Sequence, residues 1–401
     1  MDDDPPGRGG VMIKGMTRLL VVLVALVAVA AGCTADTAGN ITAAIAPPSA
    51  VIAGWHETTL PAPGARILAI TPNGNGLLVL GSVPGPQGRA PGAWTTTDGK
   101  TWHAVPLQPH TPYAFQAELA LVGSAGGRVT VLGEAFGGAH SNPRLTLWTG
   151  SVAGLVEYEQ PFEMFGGPHA IATNDAAALP GTALLVGQWD GSSGRYGAAV
   201  WTSPNGSHWT RNMNDPALAS AAGEQTSALG AAAGPMGFLV AGDTVHGANL
   251  APLAWTSPDG KAWQRIAAPS VPTTGQYGGA TADQATCEDT GCALIGTVVG
   301  QQRTVLCWPV GDTGGKVTIG AVRMGPSGTT MQVSQAFRHN GTVFAAIRLN
   351  NTARLVTFAS DCTGSRDLTL PVVSREARIG ALPNALLLAT TDLTVSRLWL
   401  R

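Results

Sequence analysis

The 401-residue chain is expected to be all-β, a seven-bladed β-propeller of four-stranded antiparallel blades closed by pairing of its N- and C-terminal strands. Three observations predict this. A hairpin unit is spelled out three times, as AWTTTDGKTW (93–102), VWTSPNGSHW (200–209) and LAWTSPDGKAW (253–263). Each copy is an alternating apolar segment, an Asp/Asn-Gly turn, and a second Trp that opens another strand. The first aromatic of the unit recurs as Trp94, Trp148, Trp201, Trp255, Trp308, Phe358 and Trp399, at spacings of 54, 53, 54, 53, 50 and 41 residues. An apolar run of the LLVLG type precedes each of them, at 77–82, 129–134, 183–188, 238–243, 292–297, 342–347 and 385–390. Composition agrees: 53 Gly, 28 Pro and only 12% charged residues suit many short strands joined by turns.

Residues 1–32 read as a targeting segment. Lys14 and Arg18 precede an uninterrupted apolar run, Leu19 to Ala31, that is short for a membrane span and right for a signal h-region. The leading MDDDPPGRGG is acidic, and a start at Met12 or Met16 would give the segment the basic lead it needs. Residues 33–50, rich in Ala, Thr and Pro, have little to bury and read as a flexible tether. The propeller is then expected over 51–401. The segment AGWHETTLP (53–61) matches the strand that follows each Asp/Asn-Gly turn, so the chain begins on a fourth strand and ends, at SRLWLR, on a third. Pairing the two would close the ring and hide both edges. The expected blades are 66–107, 113–162, 170–213, 226–267, 277–321, 330–370, and 376–401 completed by 51–60.

The end of the apolar run, Ala30-Ala31-Gly32-Cys33, resembles the lipobox of bacterial lipoproteins. That resemblance implies cleavage before Cys33, acylation of Cys33 by groups such as palmitate, and anchoring to the extracytoplasmic face of the cell membrane. The WTS-P-DG-K-x-W element resembles the Asp-box, or BNR-type repeat, of sialidase-like propellers, with one residue fewer between Asp and Gly. In that family the box is structural. The resemblance therefore implies turn and packing roles, not binding roles, for Asp98, Gly99 and Trp102, for Asn205, Gly206 and Trp209, and for Asp259, Gly260 and Trp263.

Besides Cys33 there are four cysteines, an even number that in an exported protein suggests two disulfides. Cys287 and Cys292 flank a hairpin turn and could bridge locally, and Cys307 and Cys362 would then join blades five and six. No spacing of metal-ligand type is present and no cofactor is expected. With a net charge of −2 there is no electrostatic case for a nucleic-acid partner.

Meander topology puts the Asp/Asn-Gly turns on one face of the ring and the longer, varied connections on the other, where a binding surface is expected. The candidates there are Tyr113, Glu134, Arg144, His169, Trp189, Arg195, Tyr196, His246 and Tyr277. No catalytic residue is assigned, since no GxSxG elbow, HExxH helix or phosphate loop occurs. The expectation is a non-catalytic binding or scaffold module for an envelope protein or glycan. The alternative is a divergent sialidase-like glycoside hydrolase, which would need Arg66, Arg378 and a third Arg converging on the axis within reach of a Tyr and a carboxylate.

Overall fold

Every LLVLG-type run becomes the second strand of an antiparallel sheet, and the aromatic that follows it in sequence pairs across to it. Trp94 lies opposite Val79, Trp148 opposite Val131, Trp201 opposite Leu185 and Trp255 opposite Val240, and blades five to seven repeat the pairing with Trp308, Phe358 and Trp399. The computed structural model that shows this describes residues 51–136, 143–191, 196–267, 279–300, 302–311 and 319–401. Cys33, Arg195 and Tyr277 lie outside the described residues. The strands form seven sheets, each running in meander order from an inner strand to an outer one. In the last, Trp55–Thr58 pairs antiparallel with Ser396–Leu400, His56 facing Leu400, so the two ends of the chain close the ring.

The core is divided among the blade interfaces. Seven apolar clusters form, each between two adjacent blades. Alternate residues of one strand serve two of them: Leu184 and Val186 face blade four, whereas Ala183 and Leu185 face blade two. This two-sided burial is why the second strands read as continuous apolar runs.

The Gly ending these runs has a steric cause. In blades one to six the inner strand carries a β-bulge opposite the run's end. A Cβ on Gly242 would stand 1.9 Å from the Ser227 carbonyl oxygen, so only Gly admits that approach. The Asp/Asn-Gly turns are equally specified. Oδ1 of Asp98 accepts from the backbone N–H of Lys100 at 2.8 Å and of Thr101 at 2.7 Å, and Gly99 takes φ +68°. These bonds hold the Asp98 carboxyl well below the usual carboxylate range. Asn205 caps its turn through Ser207 and His208, and Asp259 caps its own through Lys261. Trp209 and Trp263 are buried, their indoles donating to the carbonyls of Gly206 and Gly260, and half-buried Trp102 donates to Thr59.

The structure departs from the sequence expectation in three places. Leu107–Gln108, the expected last residue of blade one and the first of the connection after it, pairs parallel with Gly154–Glu157 as an extra outer strand of blade two. Blade five runs beyond residue 321, to Pro326. Two of the varied connections after the apolar runs, 82–92 and 243–252, are mostly strand: Gly76–Gly85 with Gly88–Thr96, and Gly237–His246 with Asn249–Ser257, each turned by two residues. Their alternating patterns continue to the tip, and the Pro and Gly that suggested loops sit at edges and turns. Two disulfides form, Cys287–Cys292 and Cys307–Cys362.

Candidate functional site

Among the described residues the larger recesses are the axis and a cleft on the varied face. The inner strands of all seven blades line an axial cavity of about 280 Å³, and a second of about 550 Å³ adjoins it through shared residues such as Asn174 and Arg378. Polar side chains here tie blade to blade. Asn174 donates to the Ala228 carbonyl at 2.7 Å, and Asp175 accepts from Ala231 N–H at 2.9 Å. Gln335 exchanges two bonds with Ile379, at 2.9 and 2.8 Å.

Both arginines on which a hydrolase reading turned are engaged in the same way. Arg378 donates through Nε to the Leu68 carbonyl at 2.8 Å and through Nη1 to that of Ala377 at 3.0 Å. Arg66 pairs with Glu118 of the next blade at 3.1 Å, and Ser82 donates to the same carboxylate at 2.6 Å. Arg348 and Glu376 share the axial lining with Arg378, so arginines and a carboxylate do meet there, but no tyrosine among the described residues lines either cavity. Also among the described residues, no three His, Cys, Asp or Glu side chains are grouped to hold a metal ion.

Like Asp175, Asp283 on the blade-five inner strand is an axial carboxyl whose titration is strongly moved by burial. Burial is the leading cause that lifts its carboxyl to about 6, against bonds from Thr281 and Thr297 that favour the charge, and the neighbouring Asp243 adds to the rise. Its Oδ2 has no partner. A raised native pKa means that the folded state holds the proton more tightly. The stabilisation is thus complete below the unfolded carboxyl value and is lost as pH rises through about 6. Asp283→Asn is expected to stabilise the fold relative to wild type at pH 7.5, with the difference smaller at pH 4 by about 2–3 kcal/mol. Denaturation midpoints at both pH values check this, and an unchanged difference would contradict it.

The varied face differs from the turn face in what it exposes. Of the twelve large hydrophobic side chains exposed among the described residues, ten lie on the varied face, and Val152 and Met236 alone lie on the other. All the aromatic ones fall between Tyr113 and Tyr196, that is, on blades two and three and the connections leading into them. There a cleft of two lobes, about 300 and 450 Å³, opens around Arg144, Phe162 and Phe165, which line both.

Its wall is built from a short helix, Phe162–Phe165, in the connection between the two blades. The indole of Trp201 donates to the Met164 carbonyl at 2.8 Å, and Arg211 donates to the carbonyls of Glu163 and Met164 at 2.7 and 2.9 Å. Blade four repeats this clamp with Trp255 and Arg265 on the Ala217 carbonyl, both at 2.6 Å. The recurring W-x-R after each of these turns was its sequence signal. Phe165, packed against Trp201 and Trp209, closes the cleft floor.

Of the nine candidates on this face, Tyr113, Glu134, Arg144 and Trp189 line the cleft. Trp189 is only 5% exposed, covered by Arg211 whose guanidinium carbon lies 3.6 Å from the ring centroid, so it is floor and not a free platform. Burial, and next the charge of Glu118, raises the Glu134 carboxyl above its ordinary value. His169 and exposed Tyr196 stand beside the cleft, His169 3.4 Å from Asp190, the residue paired across the strands with Tyr196. His246, at the blade-four hairpin tip, lines neither lobe. Phe115, Phe136 and Phe162, each more than half exposed, were not singled out in the sequence.

No family model and no curated protein matches this chain. Solved structures resemble it at low identity. A prolyl endopeptidase shares 11% identity at a TM-score of 0.48, over 84% of this chain and 46% of that one. The β-propeller domain of the Trilobed protease from Pyrococcus furiosus shares 8% at 0.41, over 84% and 93%. The NanB sialidase from Streptococcus pneumoniae shares 12% at 0.41, over 84% and 68%. The chain spans about half the length of the prolyl endopeptidase and of prolyl oligopeptidase B from Galerina marginata.

Proposed function

We propose that this chain is a non-catalytic binding module, held by a lipid on Cys33 at the extracytoplasmic face of the cell membrane, whose varied face carries another envelope component, protein or glycan. The observation that carries this reading is that, among the described residues, the exposed aromatic side chains all lie on the varied face of blades two and three, where Tyr113, Tyr158 and Phe162 line the cleft. Exposed apolar groups collected on one face mark an interaction site, whereas scattered ones need no explanation. The axial arginines support it from the other side, because Arg66 is paired with Glu118 of the next blade and Arg378 donates to the Leu68 carbonyl of blade one. Two disulfides suit an exported protein.

The test is capture from membranes of cells expressing the full chain. Phe115→Ala, Phe136→Ala and Phe162→Ala together should abolish retention of the captured component. Val152→Ala with Met236→Ala, on the opposite face, should leave it intact. Equal retention by both variants would remove the face assignment, and turnover of a glycoside panel by the wild-type chain would remove the non-catalytic one. Cys33→Ser should shift the chain out of the membrane fraction, and a chain still bound to membranes would rule out lipid anchoring at that residue.

A further inference from the structure

Among the described residues Arg144 has no counter-ion. It opens the third strand of blade two, and its guanidinium carbon lies 5.8 Å from the centroid of the Tyr113 ring and 5.2 Å from that of Phe162. It makes no hydrogen bond or ion pair with any described residue, and its Nε is sealed from solvent with no acceptor. Glu134, Glu157 and Glu159 line the cleft with it, none of the three forms an ion pair with it, and two of them are committed elsewhere. Glu157 accepts from the backbone N–H of His110 and Thr111 at 2.6 and 2.8 Å and from the Thr111 hydroxyl at 2.6 Å. Glu134 sits where burial and Glu118 disfavour its charge. Two rings within cation–π range favour the charge but supply no acceptor for its N–H groups. A partly desolvated cation with unused donors is completed by an acceptor brought from outside.

The surroundings narrow what that acceptor is. A planar guanidinium matches a carboxylate with two parallel hydrogen bonds. Among the described residues Arg144 is the one cationic side chain lining either lobe, so one guanidinium matches one carboxylate, and Glu134, Glu157 and Glu159 oppose a doubly charged phosphate more than a singly charged group. Next to it stand Phe162 and Ile171, hydrocarbon surfaces offering no hydrogen bonds to sugar hydroxyls, whereas Arg with exposed aromatic rings is the composition of protein-binding hot spots. From the unpaired Arg144 set between aromatic rings we infer that the cleft seats a carboxylate of a protein partner, from an Asp, a Glu or a chain terminus flanked by an apolar side chain. This rests on the reading of the varied face as the binding face.

The experiment titrates the full chain in detergent with N-acetyl-Phe-Asp-amide and with its neutral isostere N-acetyl-Phe-Asn-amide, dissociation constants being read by saturation-transfer NMR. The acid should bind at least about tenfold more tightly than the amide, as expected for a charge-assisted pair. Arg144→Gln should bring the acid to the level of the amide without changing the melting temperature, Arg144→Lys should fall between, and Phe162→Ala should weaken both probes. Equal binding of acid and amide, indifference of the acid to Arg144→Gln, or no binding of either would overturn the inference. Arg144-dependent binding of glucuronate in place of the peptide would assign the site to an acidic glycan and equally overturn it. If the carboxylate preference is absent while the three-Phe variant still loses its captured component, the inference fails and the binding face stands. If capture is unaffected, the face itself fails.

Discussion

Replacing Trp55 with alanine is expected to lower unfolding stability by about 3–5 kcal/mol, the range for deleting a fully buried large aromatic side chain. Trp55 is completely buried, and its indole donates to the Thr369 carbonyl at 3.0 Å. It packs with Phe337, Phe344 and Trp399 in the cluster between blades six and seven. The strand that carries it, Trp55–Thr58, is also the outer strand that closes the ring, fastened by Glu57 against Arg397 at 2.7 and 2.8 Å. Since that ion pair is largely exposed, it contributes little on its own, and the anchoring falls to the Trp. Trp55→Ala should therefore do two things: lower the denaturation midpoint and render the segment up to residue 60 sensitive to protease below the melting temperature. Trp55→Phe, which keeps most of the apolar surface but loses the Thr369 bond, should show a smaller effect. A Trp55→Ala chain that melts with wild type would mean that closure does not depend on this side chain.

The second large effect is expected at the disulfide between blades five and six. Cys307 lies in the third strand of blade five and Cys362 beyond the third strand of blade six, and both are fully buried in the shared cluster. Their separation of 55 residues, against 5 for Cys287–Cys292, makes the two bridges unequal. On chain-entropy grounds the long loop is worth about 4 kcal/mol and the short one about 2 kcal/mol. Replacing Cys307 and Cys362 together by alanine should thus cost about twice as much as replacing the other pair, with an added penalty for the emptied space in the cluster. Denaturant titrations of the two double variants decide this. Equal midpoints would show that the interface between blades, and not the cross-link, holds blades five and six together.

The candidate site was far less legible in the sequence than the fold. Trp189 looked like part of a loop because Asp190-Gly191 follows it, yet it shares the parity of Leu185 on one strand and points with it into the interface between blades two and three. Counting the alternation two residues further would have placed it in the core. Phe162 and Phe165 sit three residues apart in one helical turn, one exposed and one buried, and nothing local tells them apart. Arg66 and Arg378 lie on inner strands, but their bonds to Glu118 and to the Leu68 carbonyl depend on which blades become neighbours around the axis.

By itself the sequence determined what is set over short distances along the chain. Strand alternation, the turn chemistry of Asp98-Gly99 and its two counterparts, and the recurring aromatic opposite each apolar run are local patterns, and seven repetitions of them specify a closed ring. Only the tertiary structure decided which side chains remain exposed and which charges remain unpaired. Those properties depend on what the neighbouring blade contributes: Glu157 spent on the turn at Thr111, Trp201 and Arg211 clamping the helix that bears Phe162, and Arg144 left between two rings with no carboxylate of its own. Charge compensation and the exposure of side chains in the connections are sums over residues far apart in the chain, and no pattern read along it carries them.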